Sequence, residues 1–173
     1  MKEYIHNYDN LVENDITETV IRMKVLLINS KSIILGYKRG IYQFPGGHLE
    51  ENETFKDCIK REVLEETGIE ILDNQIEKPI YKISSLSKDW PEKGRNRKSE
   101  IYYYVVKTNQ KPDLSKVNYT ENELTGNFTV EEIPLDCVIQ KLKDNIVKND
   151  KNKIITPDMI MVIEEYKKII GME

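Results

Sequence analysis

Apolar and polar positions along this chain form several short runs that predict strands. The segment ETVIRMKVLLINSKSIILGYKR, residues 18–39, has two β-branched runs around Asn29-Ser30-Lys31-Ser32, which predicts a hairpin. Further strands are predicted at 78–85 (KPIYKISS) and 100–107 (EIYYYVVK), joined by a polar loop at 86–99. The run GNFTVEEIP predicts another short strand.

One long helix is predicted directly after the first hairpin. It begins near Thr54, an N-cap whose reciprocal partner three residues later is Asp57. It ends at Gly68, because glycine readily takes the left-handed conformation that terminates many helices. Before it, Pro45-Gly46-Gly47 interrupts regular structure and leaves the backbone unusually free.

The C-terminal part of the chain predicts two more helices. Residues 135–147 have helical periodicity, and the solvated linker NDKNK follows. A last helix is predicted over 157–170, with Thr156 as its cap and Pro157 as its first residue. The mixture of strands and helices predicts an α/β fold (an α+β sandwich), with a mixed sheet packed between helices.

Composition narrows the class of protein. The 173 residues are 39% hydrophobic and 32% charged, which predicts one globular domain spanning 1–173. A net charge of −4 disfavours a partner such as duplex nucleic acid. No apolar run approaches the ~20 residues that span a bilayer, so we expect no membrane partner. Cys58 and Cys137 form neither a disulfide framework nor a metal spacing, and a reduced, cytoplasmic protein is expected.

The predicted long helix carries an unusual cluster of glutamates. Glu62, Glu65 and Glu66 fall within an arc of roughly 100° on a helical wheel, so all of them point toward one spot. Cys58 and Ile59 lie on or near the same sector, which indicates that this face is partly buried. Carboxylates gathered there repel one another unless a positive charge lies among them. The alternative is a solvated acidic helix whose charges are balanced by nearby lysines and Arg61.

The spacing around this cluster resembles a known motif. Gly47, Glu53, Arg61-Glu62, Val63, Glu65-Glu66 and Gly68-Ile69 match G-x5-E-x7-R-E-U-x-E-E-x-G-U, in which U is an aliphatic residue. This pattern, over residues 47–69, resembles the Nudix box at every specified position. The entry Tyr42 to Gly47 and the predicted strands also resemble this family, over about residues 15–147.

The resemblance implies Mg²⁺-dependent hydrolysis of a pyrophosphate bond in a nucleoside diphosphate linked to another group, with Mn²⁺ as a substitute. Mg²⁺ prefers oxygen ligands and keeps several waters, so a few convergent carboxylates suffice. By resemblance, the metal ligands are Glu62, Glu65 and Glu66, with a carbonyl of Gly46 or Gly47.

The resemblance also assigns catalytic roles. Arg61 is expected to pair with Glu53 and so fix the loop against the helix. The general base is either a box glutamate, Glu62 or Glu65, or a later one among Glu100, Glu121 and Glu123. Of the later glutamates, Glu123 lies just before a predicted strand, where such a residue often occurs in the family. A solvent-exposed turn residue is the alternative for Glu123.

Cations and an aromatic residue in the loop at 86–99 are the candidate substrate-binding residues. Trp90, Arg95, Arg97 and Lys98 suit stacking on a base and binding of phosphate, although an ordinary solvated loop has the same composition. His48, directly after the glycines, is expected at the surface or in a supporting role rather than in catalysis.

Four functions are considered under this resemblance. The leading one is a compact enzyme similar to MutT-type nucleoside triphosphate pyrophosphohydrolases, because only about 15 residues precede the first predicted strand. ADP-ribose or dinucleoside polyphosphate hydrolysis is the alternative. A sensor that binds nucleotide without cleaving it is disfavoured, because no box glutamate is lost. A prenyl diphosphate isomerase, which requires a cysteine facing the substrate, is disfavoured as well. The expected partner is a small nucleotide, and the protein is expected to be a monomer or homodimer.

Overall fold

The computed structural model describes residues 1–172, and within that range one mixed sheet of seven strands forms the centre of the fold. The strands are β1 (Lys2–His6), β2 (Glu18–Asn29), β3 (Ser32–Lys38), β4 (Ile41–Gln43), β5 (Tyr81–Ser87), β6 (Arg97–Thr108) and β7 (Thr129–Pro134). They lie in the order β1-β5-β6-β2-β3-β4, and β7 pairs with the other edge of β3.

Helices cover both faces of this sheet. They are α1 (Phe55–Thr67), α2 (Glu121–Thr125), α3 (Val138–Ile146) and α4 (Asn152–Ile169). Side chains of β2 alternate between two apolar clusters: Val25 packs with Val63 of α1, and Leu26 packs with Leu142 of α3 and Ile163 of α4. The predicted α/β fold is therefore confirmed. Within residues 1–172, no helix combines the length and apolarity needed to cross a membrane.

β2 and β3 pair next to their hairpin and then separate. Their pairing runs from Leu27 opposite Ile34 to Asn29 opposite Ser32. Toward its N-terminal end, β2 forms backbone hydrogen bonds with the glycine-containing loop instead of β3. Its backbone bonds to that loop are Met23 N to Gly47 O (3.0 Å), Val25 N to Pro45 O (2.9 Å) and Leu49 N to Ile21 O (3.0 Å). The loop therefore continues the sheet beside β2.

The predicted N-cap and C-terminal glycine of α1 are confirmed. The Thr54 hydroxyl accepts a hydrogen bond from the Asp57 backbone N–H at 3.2 Å and donates one to the Asp57 carboxylate at 2.6 Å. Gly68 has a φ of 71° and donates its N–H to Leu64 O at 2.8 Å. A left-handed residue there is favourable for glycine, so the chain turns away from the helix at the predicted position.

The prediction that about 15 residues precede the first strand was wrong. β1 begins at Lys2 and pairs in parallel with β5, from Lys2 opposite Tyr81 to His6 opposite Ser85. β1 lies at the sheet edge and most of its residues are exposed, so it lacks an alternating pattern. A partner almost 80 residues away leaves no local signal in the sequence.

The prediction that the last helix begins at Pro157 was also wrong. α4 begins at Asn152, so Pro157 lies within it and part of the expected solvated linker is helical. Asn152 is fully buried, and its amide donates to Asn145 O at 2.8 Å and Gly40 O at 3.2 Å. Because Pro157 has no backbone N–H, the helical hydrogen bond to the carbonyl of Lys153 is missing. Both residues are exposed to water.

The predicted loop at 86–99 is shorter than expected. β5 continues to Ser87 and β6 begins at Arg97, so Arg97 and Lys98 are strand residues. Along this stretch β6 pairs in parallel with β2, from Glu18 opposite Arg97 onward.

Asn152→Ala should lower the free energy of unfolding by about 1–3 kcal/mol, because it leaves the buried carbonyl of Asn145 without this partner. Lys153→Ala, at the exposed neighbouring position, is the control and should change stability little. Urea denaturation of the two variants measures the difference. Equal stability of both would contradict the role of Asn152 as a buried anchor.

Candidate active site

Arg61 connects the loop before α1 to the acidic face of this helix. Its Nε and Nη2 donate to the two carboxylate oxygens of Glu53, at 2.8 and 3.0 Å. Its Nη1 donates to Glu62 at 2.7 Å and to Glu65 at 3.3 Å, and Nη2 also reaches the carbonyl of His48 at 3.1 Å. The expected ion pair with Glu53 is thus present, and these carboxylates raise the pKa of Arg61 further.

Glu66 is the buried member of the glutamate cluster. Its side chain is among the buried charged groups, and its Oε2 accepts a hydrogen bond from Gly46 N at 3.0 Å. Burial raises the pKa of Glu66 to about 7, against the opposing effects of Lys24 and the Gly46 N–H. The charges of Glu62 and Glu123 contribute to this rise of the pKa. A carboxylate held this way favours a cation close to it.

The two glycines allow backbone and carboxylate groups to approach closely. Gly46 has a φ of 128°, and a side chain there would collide with the backbone of Met23. A side chain at Gly47 would collide with the carboxylate of Glu62. These positions therefore bring the glycine loop directly against both β2 and α1.

Lys24 is a site residue that sequence reasoning missed. Its Nζ donates to the carbonyl of Phe44 at 3.0 Å and to the carbonyl of Gly46. The only sequence signal was a lysine between the apolar residues Met23 and Val25 of a predicted buried strand. Its ammonium thus contacts the backbone oxygen that the resemblance assigns to metal binding.

A cavity of about 640 Å³ lies above these groups. The residues that line it include the α1 glutamates Glu62, Glu65 and Glu66, together with Glu123, Arg22, Lys24, Lys38 and His48. The segment that carries Glu123 is fastened to α1, since Asn118 N donates to Glu65 O at 3.0 Å. The cavity therefore combines an acidic wall with several cations.

Glu123 is placed differently from the other late glutamates. It lies in α2 and lines the cavity, while its Oε2 accepts hydrogen bonds from Thr120 N at 2.7 Å and Thr120 Oγ1 at 2.9 Å. Glu100 instead pairs with Lys82 at 2.9 Å on the sheet surface. Glu121 is exposed and is not among the described residues that line the cavity. Glu123 as a general base stays a prediction.

The predicted substrate-binding residues lie outside the cavity wall. Trp90 is 57% exposed, and Arg95 and Arg97 pair with Glu18 at 3.2 and 2.7 Å. Lys98 pairs with Glu13 at 3.2 Å. In the part of the chain that the structure describes, none of the four lines the cavity, so their substrate contacts stay a prediction.

His48 does line the cavity. His48 is an exposed residue, and the partial desolvation of its imidazole lowers the pKa, with further lowering by Arg22, Lys24 and Arg97. The backbone of His48 pairs with that of Arg22 on β2 as an isolated antiparallel β-bridge. The expected surface or supporting role is compatible with this position.

The oxygen donors present fit a hard divalent cation that keeps part of its water shell. Within residues 1–172, no closed set of three or more His, Cys, Asp and Glu side chains surrounds a single point. Mg²⁺ does not need such a cage, because it binds one or two carboxylates and several waters. Glu62, Glu65, Glu66 and the Gly46 carbonyl supply oxygens only, and all of them already contact protein donors or cations.

Comparisons with known proteins agree with this geometry. A family model described as NUDIX domain matches residues 16–149. An 8-oxo-dGTP diphosphatase of Buchnera aphidicola subsp. Acyrthosiphon pisum is 34% identical over 99 residues, covering 52% of this chain and 74% of that protein. Nudix hydrolase 25 of Arabidopsis thaliana is 26% identical over 118 residues, covering 60% of this chain and 65% of that protein.

Solved structures share the fold. The mutator MutT protein from Bacillus halodurans superposes with a TM-score of 0.51 at 19% identity, covering 70% of this chain and 72% of that one. The ORF135 protein of E. coli superposes with a TM-score of 0.55 at 15% identity, covering 88% and 91%. At these identities the likeness concerns the fold alone.

The raised pKa of Glu66 predicts a pH dependence of stability in the metal-free protein. Because the folded pKa is about 7 and the ordinary value is 4.5, the fold favours the protonated form by about 3 kcal/mol. That stabilisation is complete below about pH 4.5 and is lost as the pH rises through about 7. The melting temperature should therefore fall between about pH 5 and about pH 8.

Glu66→Gln should remove the part of the fall in melting temperature that is due to Glu66, and should stabilise the metal-free protein at about pH 8. Glu51→Gln, at an exposed neighbouring carboxylate, is the control and should keep the wild-type pH dependence. Thermal melts with chelator at several pH values measure both. A Glu66→Gln variant with the wild-type pH slope would contradict the assignment.

Proposed function

The chain belongs to the Nudix hydrolase family, and from this membership we propose that it hydrolyses a pyrophosphate bond in a nucleoside diphosphate derivative with Mg²⁺. A nucleoside triphosphate or a modified nucleotide is the leading substrate. The observation that carries the proposal is the convergence of the α1 glutamates, Glu123 and several cations on one cavity. The name of the Buchnera relative, an 8-oxo-dGTP diphosphatase, also favours a triphosphate.

The side chains have distinct roles in this proposal. Arg61 holds Glu62 and Glu65 in place and ties them to Glu53, while Glu66 holds the glycine loop through Gly46 N. Mg²⁺ held by these oxygens would neutralise the phosphate chain and polarise the phosphoryl group and its attacking water. Glu123, which lines the same cavity, is the proposed proton acceptor, and Glu65 is the alternative.

ADP-ribose is the second candidate substrate. The sequence-based reason for favouring a triphosphate over it was the short stretch before the first predicted strand, and β1 adds one strand of five residues to that stretch. A screen of nucleoside triphosphates, ADP-ribose and dinucleoside polyphosphates with Mg²⁺, with detection of released phosphate or pyrophosphate, separates these substrates. The cytoplasmic location, the oligomeric state and the single domain stay predictions.

Glu62→Gln and Glu66→Gln should each lower kcat at least ~10²-fold, which corresponds to roughly 3 kcal/mol of barrier. Each change keeps the size of the side chain and removes one negative charge from the cluster. Glu51→Gln is the control, because Glu51 is exposed and lies outside the acidic cluster. Initial rates on any substrate that the screen identifies measure the effect. If all three variants kept wild-type kcat, Glu62 and Glu66 would have no role in turnover.

Mg²⁺ or Mn²⁺ at millimolar concentration should raise the melting temperature at pH 8, since a cation that binds only the folded site stabilises it by mass action. Glu66→Gln should reduce this rise, whereas Glu51→Gln should retain it. Differential scanning calorimetry measures both without any substrate. An unchanged melting temperature of the wild-type protein would count against a preformed cation site.

A further inference from the structure

We propose that Arg22 binds the terminal phosphate of the substrate and makes this site selective for nucleotides with a free phosphate end. The inference rests on the proposed function, because it concerns the same cavity. It adds a specificity-determining residue that lies outside the motif at residues 47–69. It also names the substrate class as nucleotides whose phosphate chain is not capped by a second group.

Arg22 has few partners for its hydrogen-bond donors. It lies on β2, is partly buried and lines the cavity. Its Nη1 donates to Ser99 Oγ at 3.3 Å, and no carboxylate in residues 1–172 forms an ion pair with it. A guanidinium has several N–H donors in a planar fork, so most of its donors stay available to a ligand.

On the face of the sheet that carries Arg22, the carboxylate of Glu18 is already bound by other cations. Both oxygens of Glu18 are bound, one by Arg95 at 3.2 Å and the other by Arg97 at 2.7 Å. Glu100 lies opposite Ile21 in the pairing of β2 with β6, so its side chain points to the other face of the sheet from Arg22. Within residues 1–172, Arg22 therefore has no carboxylate that pairs with it.

The surroundings of Arg22 favour an incoming anion. Burial lowers the pKa of Arg22, and the nearby guanidinium of Arg97 lowers it further. A partly buried cation beside other cations is unfavourable in the free protein, and an anionic ligand relieves that cost.

A terminal phosphate is the anion that fits this position. It becomes doubly charged near neutral pH and offers several oxygens to a planar guanidinium, which can bind it through two parallel hydrogen bonds. The phosphates inside a capped diphosphate carry less charge and have no free end. Arg22 should therefore discriminate between a nucleoside triphosphate and ADP-ribose.

The test measures binding of methylene-linked, non-hydrolysable analogues by calorimetry in the presence of Mg²⁺. The ligands are a nucleoside triphosphate analogue and an ADP-ribose analogue. Arg22→Gln should weaken triphosphate binding about 10- to 100-fold, as expected for a lost charged hydrogen bond, and should weaken ADP-ribose binding less than about 3-fold. Arg22→Lys should restore part of the affinity, since it keeps the charge without the planar fork.

Arg39→Gln is the matched control, because Arg39 is exposed in the turn between β3 and β4. It should bind both analogues like the wild type, and thermal melts establish that each variant is folded. Equal weakening of both ligands by Arg22→Gln, or weakening of neither, would overturn the proposal.

Binding and turnover separate this inference from the proposed function. Arg22→Gln could weaken triphosphate binding selectively while the wild-type protein hydrolyses none of the substrates. That result would support the role of Arg22 and refute the hydrolase. If the Arg22→Gln variant hydrolysed triphosphates with the KM of the wild type, the result would support the hydrolase and refute the role of Arg22.

Discussion

The arrangement of this site depends on one cation, the guanidinium of Arg61. It binds both oxygens of Glu53 in the loop before α1 and also contacts Glu62 and Glu65 on the helix. Without it, these carboxylates would repel one another across a partly buried face. Arg61 therefore allows a helix to gather glutamates on one side, and it sets their position relative to the glycine loop through the carbonyl of His48.

The sheet supplies the second constraint. Because β2 separates from β3 beyond their hairpin, its backbone donors and acceptors are free to bond to the segment from Pro45 to Leu49. That segment becomes an additional, irregular edge of the sheet, and a glycine in it is close enough to contact both Met23 and Glu66. The cavity thus lies where a gap between two strands meets the acidic face of a helix.

Local signals predicted much of this structure from the sequence, and long-range contacts account for what was missed. The hairpin, the Thr54 cap and the turn at Gly68 depend on neighbouring residues, so the sequence shows them directly. β1 is stabilised by β5, and the start of α4 is held by Asn152 contacting Gly40. Neither contact leaves a periodic pattern. The motif likewise identified the acidic wall and gave no signal for Lys24 or Arg22, which come from a strand.

The two kinds of charge in the cavity have a joint consequence for binding. The glutamates repel a phosphate chain, whereas Arg22, Lys38 and the cations near them repel a free divalent cation. Each ligand supplies the charge that offsets the repulsion felt by the other, so each favours the binding of the other by the same free energy. A site built only from carboxylates would bind the cation without selecting the nucleotide. A site built only from cations would bind many anions, and the presence of both kinds of charge in one cavity fits the proposed ligand, a phosphate chain accompanied by a metal ion.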